Sequence, residues 1–586
     1  MTPRLVIFTL LASATRAQNA ATALLEKNCL ACHDAARHLG NVVLETRGLA
    51  IQHKALDANT PANSLLLAKI KAGKMPPGRP LPAADQQVIE TWLQNGAPWT
   101  TTLRDRKSFW SLQPIQPHAA ETIDSLWLAA LKDKSLTPSK EADPRTLLRR
   151  ATFDLTGLPP GVDEVERFAA GRETHEAAAD RLLASPQYGE RQARHWFDLV
   201  RFAETNGHEY DNSKLDAWQY RDYVIRAFNE DLPYARFVEE HIAGDLLPNP
   251  RVSKDGRLFE SPLGTGFYWF GEVLNSATDS VKSRADQVDN QIDIIGKSFL
   301  GLTVACARCH DHKFDPLPQR DYYGLAGVLH GTGMREVVND APAVAAAVKA
   351  AHERVAPITR RPGRAKIKLR DGETLWEDFG DLTKNDWHVT GEAFALGAHD
   401  GMVDSAGRGA KELVGALASK KFRMPNHYVH MRLNATKGER GLAEREPVRV
   451  TLVADDFKSV HFLGPGKGEF EWVSIRMTLP YERQCYFEIV DRSRTGAVAV
   501  DAIVFSELKD PPPVEVEEAA SWTDPAPVAG IPESNWSMVA WDEAPHDVKL
   551  HIRGSHLNLG DLVPRHFPAV LTKEAAPITG SGRLEF

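Results

Sequence analysis

Thr22-Ala-Leu-Leu-Glu-Lys-Asn-Cys29-Leu-Ala-Cys32-His33 reads as one helix that ends in a CxxCH signature. Two thiols three residues apart lie on one helical turn. Each can form a thioether with a haem vinyl group, while the adjacent His33 turns its imidazole to the iron as proximal ligand. The spacing therefore predicts covalent haem c. CxxC also serves zinc sites and redox disulfides. A zinc ribbon would need a second CxxC nearby, and none occurs before residue 306. A thioredoxin-like site would need a βαβ setting, which residues 20–100 do not resemble. Met75 lies 42 residues after His33, in Lys74-Met75-Pro76-Pro77-Gly78. A thioether in that Pro-flanked loop is the expected sixth ligand, a soft donor that raises the reduction potential.

The signature recurs at Cys306-Ala-Arg-Cys309-His310, followed by Asp311-His312-Lys-Phe-Asp315-Pro316. The same mechanics predict a second haem with His310 proximal. His195 is the first candidate for its distal ligand, with His208, His241, His312 and His330 behind it, and an open sixth position is a further option. The competing readings are a zinc site of Cys306, Cys309, His310 and His312, or a disulfide. Cys485, in a strand-rich stretch, reads as a small buried hydrophobe.

The whole chain has 586 residues, 42% hydrophobic and 25% charged, with a net charge of −8. That length predicts about three to five domains. The composition excludes wholesale disorder, a fibre and a multi-pass membrane protein, and no global basic field exists to hold nucleic acid. Residues 1–17 carry a basic start at Arg4, a short apolar run and small residues near Ala14 and Ala17, the pattern of a cleaved signal peptide. No other run is long enough for an integral membrane span. The mature product is expected to be periplasmic or otherwise exported.

Outward from the first motif, residues 20–100 form a small cytochrome c-like haem unit that closes with an amphipathic helix, Ala83 to Leu93. Residues 108–335 read as a large helical domain, with helices at Arg145 to Phe153, Tyr188 to Glu204, Trp218 to Asn229, Ala235 to Ala243 and Ala285 to Leu300. Residues 336–372 read as a linker. Period-two alternation then takes over in 373–508, with strands at Tyr428–Leu433, Val448–Val453, Trp472–Met477, Tyr486–Val490 and Val498–Phe505, which predicts an inserted antiparallel β-sandwich. Residues 509–547 read as a second linker and irregular stretch, and little regular pattern shows from 519 to 586. The expected class is multidomain and mostly α, with one β-sandwich.

Several longer motifs are similar to a known family. Cys29-Leu-Ala-Cys-His33 with Lys74-Met-Pro-Pro77 resembles the planctomycete-type cytochrome c domain. Phe153-Asp-Leu-Thr-Gly-Leu-Pro-Pro160, Ser185-Pro-Gln-Tyr-Gly-Glu190, Ala243-Gly-Asp-Leu-Leu-Pro248 and the second cysteine motif resemble the large helical domain of unknown function that usually follows it. Residues 548–586, with Ile552-Arg-Gly-Ser-His-Leu-Asn-Leu-Gly560, resemble the start of the family's second uncharacterised domain, cut short at Phe586. The resemblance implies a large exported cytochrome, often associated with polysaccharide use.

Three function classes follow. The first is an exported c-type cytochrome that passes electrons to a redox partner protein, in an oxidoreductase linked to polysaccharide. The second is a glycan-binding protein with a peripheral haem, in which Trp376, Trp387, Tyr428 and Trp472 supply sugar-stacking faces or else fill the sandwich core. The third is a hydrolase built on carboxylates such as Asp198, Glu204, Asp211, Glu240 and Asp245, which would have to pair about 5–10 Å apart.

Overall fold

The computed structural model describes residues 21–33, 39–97, 122–271 and 279–563, except 208–210, 212, 215, 313, 356–364, 400, 407–410, 437–446, 455–457, 463–469, 478–483, 517–527, 543–547 and 552–558. The expected signal peptide and all of 564–586 therefore lie outside the described residues, as does His208. The described residues fall into two compact units. One holds those up to Thr137 together with Cys306–Tyr322, and the other holds Pro138–Ala305 and those from Tyr323 onward.

In the first unit a helix over 21–28 turns at Cys29 and continues as Leu30–His33. Helices Arg47–Gln52, Leu65–Lys71 and Ala83–Gln94 follow. Their apolar stripes close one core of Leu25, Leu30, Leu44, Leu56, Ile70, Trp92 and Leu93. Trp92, 1% exposed, is the largest of these. Each such side chain contributes roughly 1.5–3 kcal/mol by leaving water.

The second unit opens with a helical region. Asp143 caps the helix Pro144–Thr156 by accepting from the Thr146 N–H at 3.1 Å, and Gly157 at φ 73° ends it in the left-handed conformation. Pro at the first position and Gly just past the last is the asymmetry that helix termini favour. The helix expected over Tyr188 to Glu204 is Pro186–Val200, stopped by Arg201 in the left-handed region. Ala217–Asn229 and Tyr234–Ala243 lie close to the expected bounds. Ser280–Ile295 begins earlier than expected and passes into a π-turn over Gly296–Leu300. At Gly189 a Cβ would stand 2.5 Å from the Ile225 carbonyl oxygen, so only glycine permits this approach.

The β-rich region holds two antiparallel sheets. One orders Lys458–Phe462, Val448–Ala454, Gln484–Asp491, Gly415–Ala418 and His388–Gly391, with Phe422–Arg423 also on Gln484–Asp491. The other orders Glu471–Arg476, Tyr428–Thr436, Ala497–Ser506 and Thr374–Glu377, with Val403–Asp404 also on Ala497–Ser506. Alternate residues of both sheets, among them Met431, Leu433, Leu452, Phe487 and Phe505, meet in one hydrophobic core. Cys485 lies in it, 0% exposed. All five expected strands are present; four keep their bounds within two residues, and Tyr428–Thr436 runs three residues past the expected end.

Two stretches expected as linkers are built into the fold. Within 336–372, helix Pro342–Glu353 packs Val348 and Ala351 into the two-sheet core. Strand Thr332–Val338 pairs antiparallel with Trp536–Asp542, which lies in the stretch expected to be irregular. Ala365–Ile367 pairs with Val514–Val516. Arg492 reaches both Asp216 on the helical side, at 3.0 Å, and Glu336 on the strand. Alanine-rich and proline-containing composition hid these elements, because their partners lie some 150–200 residues away in sequence.

Candidate cofactor site

The first cysteine pair is placed by a helical turn. The Cys32 and His33 N–H groups both donate to the Cys29 carbonyl, each at 3.1 Å. That turn aligns the three side chains along one wall of a cavity of about 400 Å³. Another part of its lining comes from the chain after helix Leu65–Lys71. Gly73, at φ 63°, reverses the backbone, and the N–H groups of Lys74 and Met75 donate back to the Lys69 carbonyl at 3.0 and 3.3 Å. Met75, Pro76 and Pro77 thereby line the same cavity as Cys29, Cys32 and His33, and Val42, Leu44, Leu66 and Ile70 make the remaining walls apolar.

This donor set fits a haem. The cavity is within the roughly 300–1,000 Å³ of small-molecule sites. It presents two thiols, an imidazole and a thioether among apolar walls, as a flat macrocycle needs. His33 Nδ1 is enclosed without a hydrogen-bond partner, a loss of about 1–3 kcal/mol unless another group engages the ring. Burial, reinforced by the neighbouring Cys32, pushes the Cys29 thiol up to about 11. Among the described residues no three His, Cys, Asp or Glu side chains are gathered as a metal ion would require.

The second pair lies in a looser setting. Cys306 sits in the short turn Val304–Arg308, and Cys306, Cys309 and His310 are exposed. His310 Nδ1 lies 2.7 Å from the Asp311 carbonyl, so it donates there and leaves Nε2 with its lone pair. Fixing one ring nitrogen in this way is what orients a ligating histidine. Gln319 clamps the loop, donating from its backbone to Asp311 Oδ1 and from Nε2 to the Arg308 carbonyl, both at 2.8 Å. The zinc alternative of Cys306, Cys309, His310 and His312 is not assembled. His312 is buried, and its Nδ1 accepts from the Asp315 N–H at 2.7 Å.

The other histidines separate clearly. His195 is exposed on helix Pro186–Val200. His241 is excluded as a ligand. It is 0% exposed, its Nδ1 donates to the Phe237 carbonyl at 2.7 Å, and its Nε2 accepts from the Tyr220 hydroxyl at 2.9 Å. Trp196 Nε1 in turn donates to Tyr220 at 2.9 Å. Burial holds His241 down to about 3. Because this folded value lies below the unfolded one, His241 contributes stability above pH ~6.5 that is lost as pH falls toward 3. Relative to His241→Gln, the native chain should lose about 1.4 kcal/mol per pH unit in that window. Urea midpoints for both proteins between pH 6.5 and 4 check this, and parallel profiles would refute it.

Of the candidate hydrolytic carboxylates, Glu240 is 0% exposed between Arg236 and Arg251. Glu204 is held by Arg221 at 2.9 Å. Glu240 is thereby tied into a buried structural ion pair, whereas the Glu204 pair is exposed. Of the four candidate sugar-facing aromatics, Trp387 is 7% exposed and Trp376 packs on the same two-sheet core. Both are structural. Tyr428 and Trp472 instead lie on the outer face of the five-stranded sheet, flanking His430 with ring centroids 6.1 and 6.4 Å away. Sequence reasoning missed their neighbours. Among the described residues, buried Asn434 has no partner for either amide atom, and Trp472 Nε1 and Asp501 Oδ1 are likewise enclosed without partners. Burial pushes Asp501 up to about 7, opposed by its ion pair with Arg432. Asp501 escaped notice because it occupies a bulge between Val500 and Ala502, off the strand period.

Comparison with known proteins covers two stretches of the chain. Residues 29–78 match the family model described as Planctomycete cytochrome C, a family that implies haem c. Residues 122–333 match the model described as Protein of unknown function (DUF1549). No curated protein matches the chain. Among solved structures, one similar chain is a family 29 carbohydrate binding module complexed with cellulohexaose, at 12% identity over 25% of this chain and 92% of the module, with TM-score 0.16. Another is the Podospora anserina GH26-CBM35 β-(1,4)-mannanase, at 17% identity over 24% of this chain and 29% of that one, with TM-score 0.15. These scores assign neither fold nor ligand. Among the described residues no helix is long and apolar enough to cross a membrane. The two cysteine motifs thus stand in a planctomycete cytochrome c region followed by the domain of unknown function DUF1549, in the order that the sequence motifs implied.

Proposed function

We propose that this chain is an exported c-type cytochrome that passes single electrons to a partner protein. One observation carries the reading: Cys29, Cys32, His33 and Met75 line one apolar cavity. Haem, when bound there, supplies a reversible one-electron couple. Cys29 and Cys32 would tether it by thioethers, and His33 and Met75 would offer its iron an imidazole nitrogen and a thioether sulfur. Both ligands are fixed by backbone hydrogen bonds, so little has to move when charge changes. Leu44, Leu66 and Ile70 keep water out and, with the thioether, favour the reduced form. A reduced-minus-oxidised spectrum on protein matured with a haem-attachment system tests this, and a colourless product would refute it.

Met75→Ala should leave the haem covalently attached but remove the soft sixth ligand. The midpoint potential is expected to fall by on the order of 100 mV, within the roughly 0.8 V that axial ligands command. Potentiometric titration checks this, and an unchanged potential would exclude Met75 as ligand. The same reading extends to a second haem at Cys306 and Cys309, with His310 proximal through its free Nε2. A haem-to-protein ratio near two by mass spectrometry would support it.

A second reading concerns the two-sheet region as a glycan-binding sandwich. It is favoured by Trp472, Asn434 and Asp501, an indole, an amide and a carboxyl group on the same sheet whose enclosed polar atoms find no partner among the described residues. Polysaccharide retention by the full chain that Trp472→Ala abolishes would support it, and retention by no polysaccharide would refute it.

A further inference from the structure

The mouth of the cofactor cavity differs in charge from the chain as a whole. Residues 65–80 carry Lys69, Lys71, Lys74 and Arg79 and no acidic residue, in a protein of net charge −8. All four are exposed. Lys69 lines the cavity, and Lys74 adjoins Met75. Lys71 pairs with Glu90 at 2.5 Å, while Lys69, Lys74 and Arg79 make no ion pair among the described residues. Two exposed apolar residues also line the cavity, Leu39 at 56% and Leu65 at 44%. Isolated exposed leucines are ordinary. Two at the rim of one apolar cavity, beside uncompensated lysines, make a surface of a particular kind. A small apolar contact brings a partner close to the cavity, and a flanking field of one sign orients it without holding it long.

We infer that this rim, Leu39 and Leu65 flanked by Lys69, Lys74 and Arg79, is the docking surface through which the cytochrome meets an acidic electron-transfer protein. The inference rests on the haem reading above and adds the chemistry of the partner. Charge complementarity selects an acidic face over a basic one. The absence of any acid in residues 65–80 means that no neighbour in that stretch cancels the field. Fast release is served by the small apolar area, because transient redox encounters bury little surface.

The test uses the full, haem-loaded chain and the double variant Lys74→Glu/Arg79→Glu. The reduced protein is mixed with ferricyanide, a trianion, or with tris(phenanthroline)cobalt(III), a trication. In each case one electron leaves the protein and reduces the probe, and no bond is made or broken. Wild-type protein should react with ferricyanide at a rate that falls as salt rises, and with the cobalt complex at a rate that rises. The double variant should slow ferricyanide by about tenfold at low salt and reverse both salt dependences. Fluorescence anisotropy with labelled poly-L-glutamate gives a readout independent of redox chemistry, with binding by the wild type and loss in the variant. A normal c-type spectrum with salt-independent ferricyanide kinetics, or equal polyglutamate binding by both proteins, would overturn the docking surface alone. A protein without the c-type band would overturn the haem reading and this one together.

Discussion

Cys29→Ala/Cys32→Ala should abolish covalent haem in the amino-terminal unit. Thioether attachment needs sulfur, and the described cavity offers two sulfur atoms on its helical wall and a third, in Met75, that cannot form such a bond. Each single variant should keep one tether and some haem, and the double variant should keep none. The fold of residues 21–97 should survive the change. Cys29 is small and its core neighbours Leu25, Leu30, Leu44 and Trp92 remain, so the direct packing loss is on the order of 1 kcal/mol. Stability should nevertheless fall further, because a group bound only by the folded state stabilises it. Intact mass and the haem spectrum after denaturation check the result. A double variant that still carries denaturation-resistant haem at the wild-type level in this unit would remove the basis of the proposed function. Zinc or a disulfide in its place would predict no coloured product in the first instance.

Glu240→Ala should be the most damaging single change in the helical region. The Glu240 carboxylate accepts from Tyr223 at 2.9 Å and from Ser261 at 2.7 Å, and it faces Arg251 at 3.2 Å and Arg236 at 3.3 Å. All of this lies at a residue with 0% exposure. Removing the carboxylate leaves two buried hydroxyls, Tyr223 and Ser261, without this acceptor and takes the shared counter-charge from Arg236 and Arg251. Breaking one side of such a buried arrangement costs about 3–5 kcal/mol. The second unit's melting temperature should drop by roughly 10 °C. A hydrolytic Glu240 would behave oppositely, with activity lost and melting unchanged. Differential scanning calorimetry separates the two, and a melting temperature within a degree or two of wild type would refute the structural role.

The residues themselves explain what could be read early. Asp143, Pro144 and Gly157 mark a helix by local chemistry, and the structure starts and stops it there. The strands around Tyr428, Val448 and Val498 are visible because inward residues alternate with outward ones. Helix Pro342–Glu353 was not legible. Its alanine-rich face carries little hydrophobic contrast, and it is held by Val348 and Ala351 packing on a core assembled far along the chain. The aromatics show the same division. Trp376 and Trp472 have equal claims in the sequence, and only sheet pairing turns one inward and the other out.

By itself the sequence determined the chemistry on offer: two CxxCH motifs, a Met in a Pro-flanked loop, and the local signals that start and stop helices and strands. These depend on neighbours a few residues apart, so they can be read along the chain. Tertiary structure alone decided which groups meet. It carried Met75 across 42 residues of chain to the cavity of His33, sealed His241 between Phe237 and Tyr220, and neutralised Glu240 with two arginines. Burial and electrostatic pairing act through space, and no spacing rule along a chain reports the distance between residues that only a core brings together.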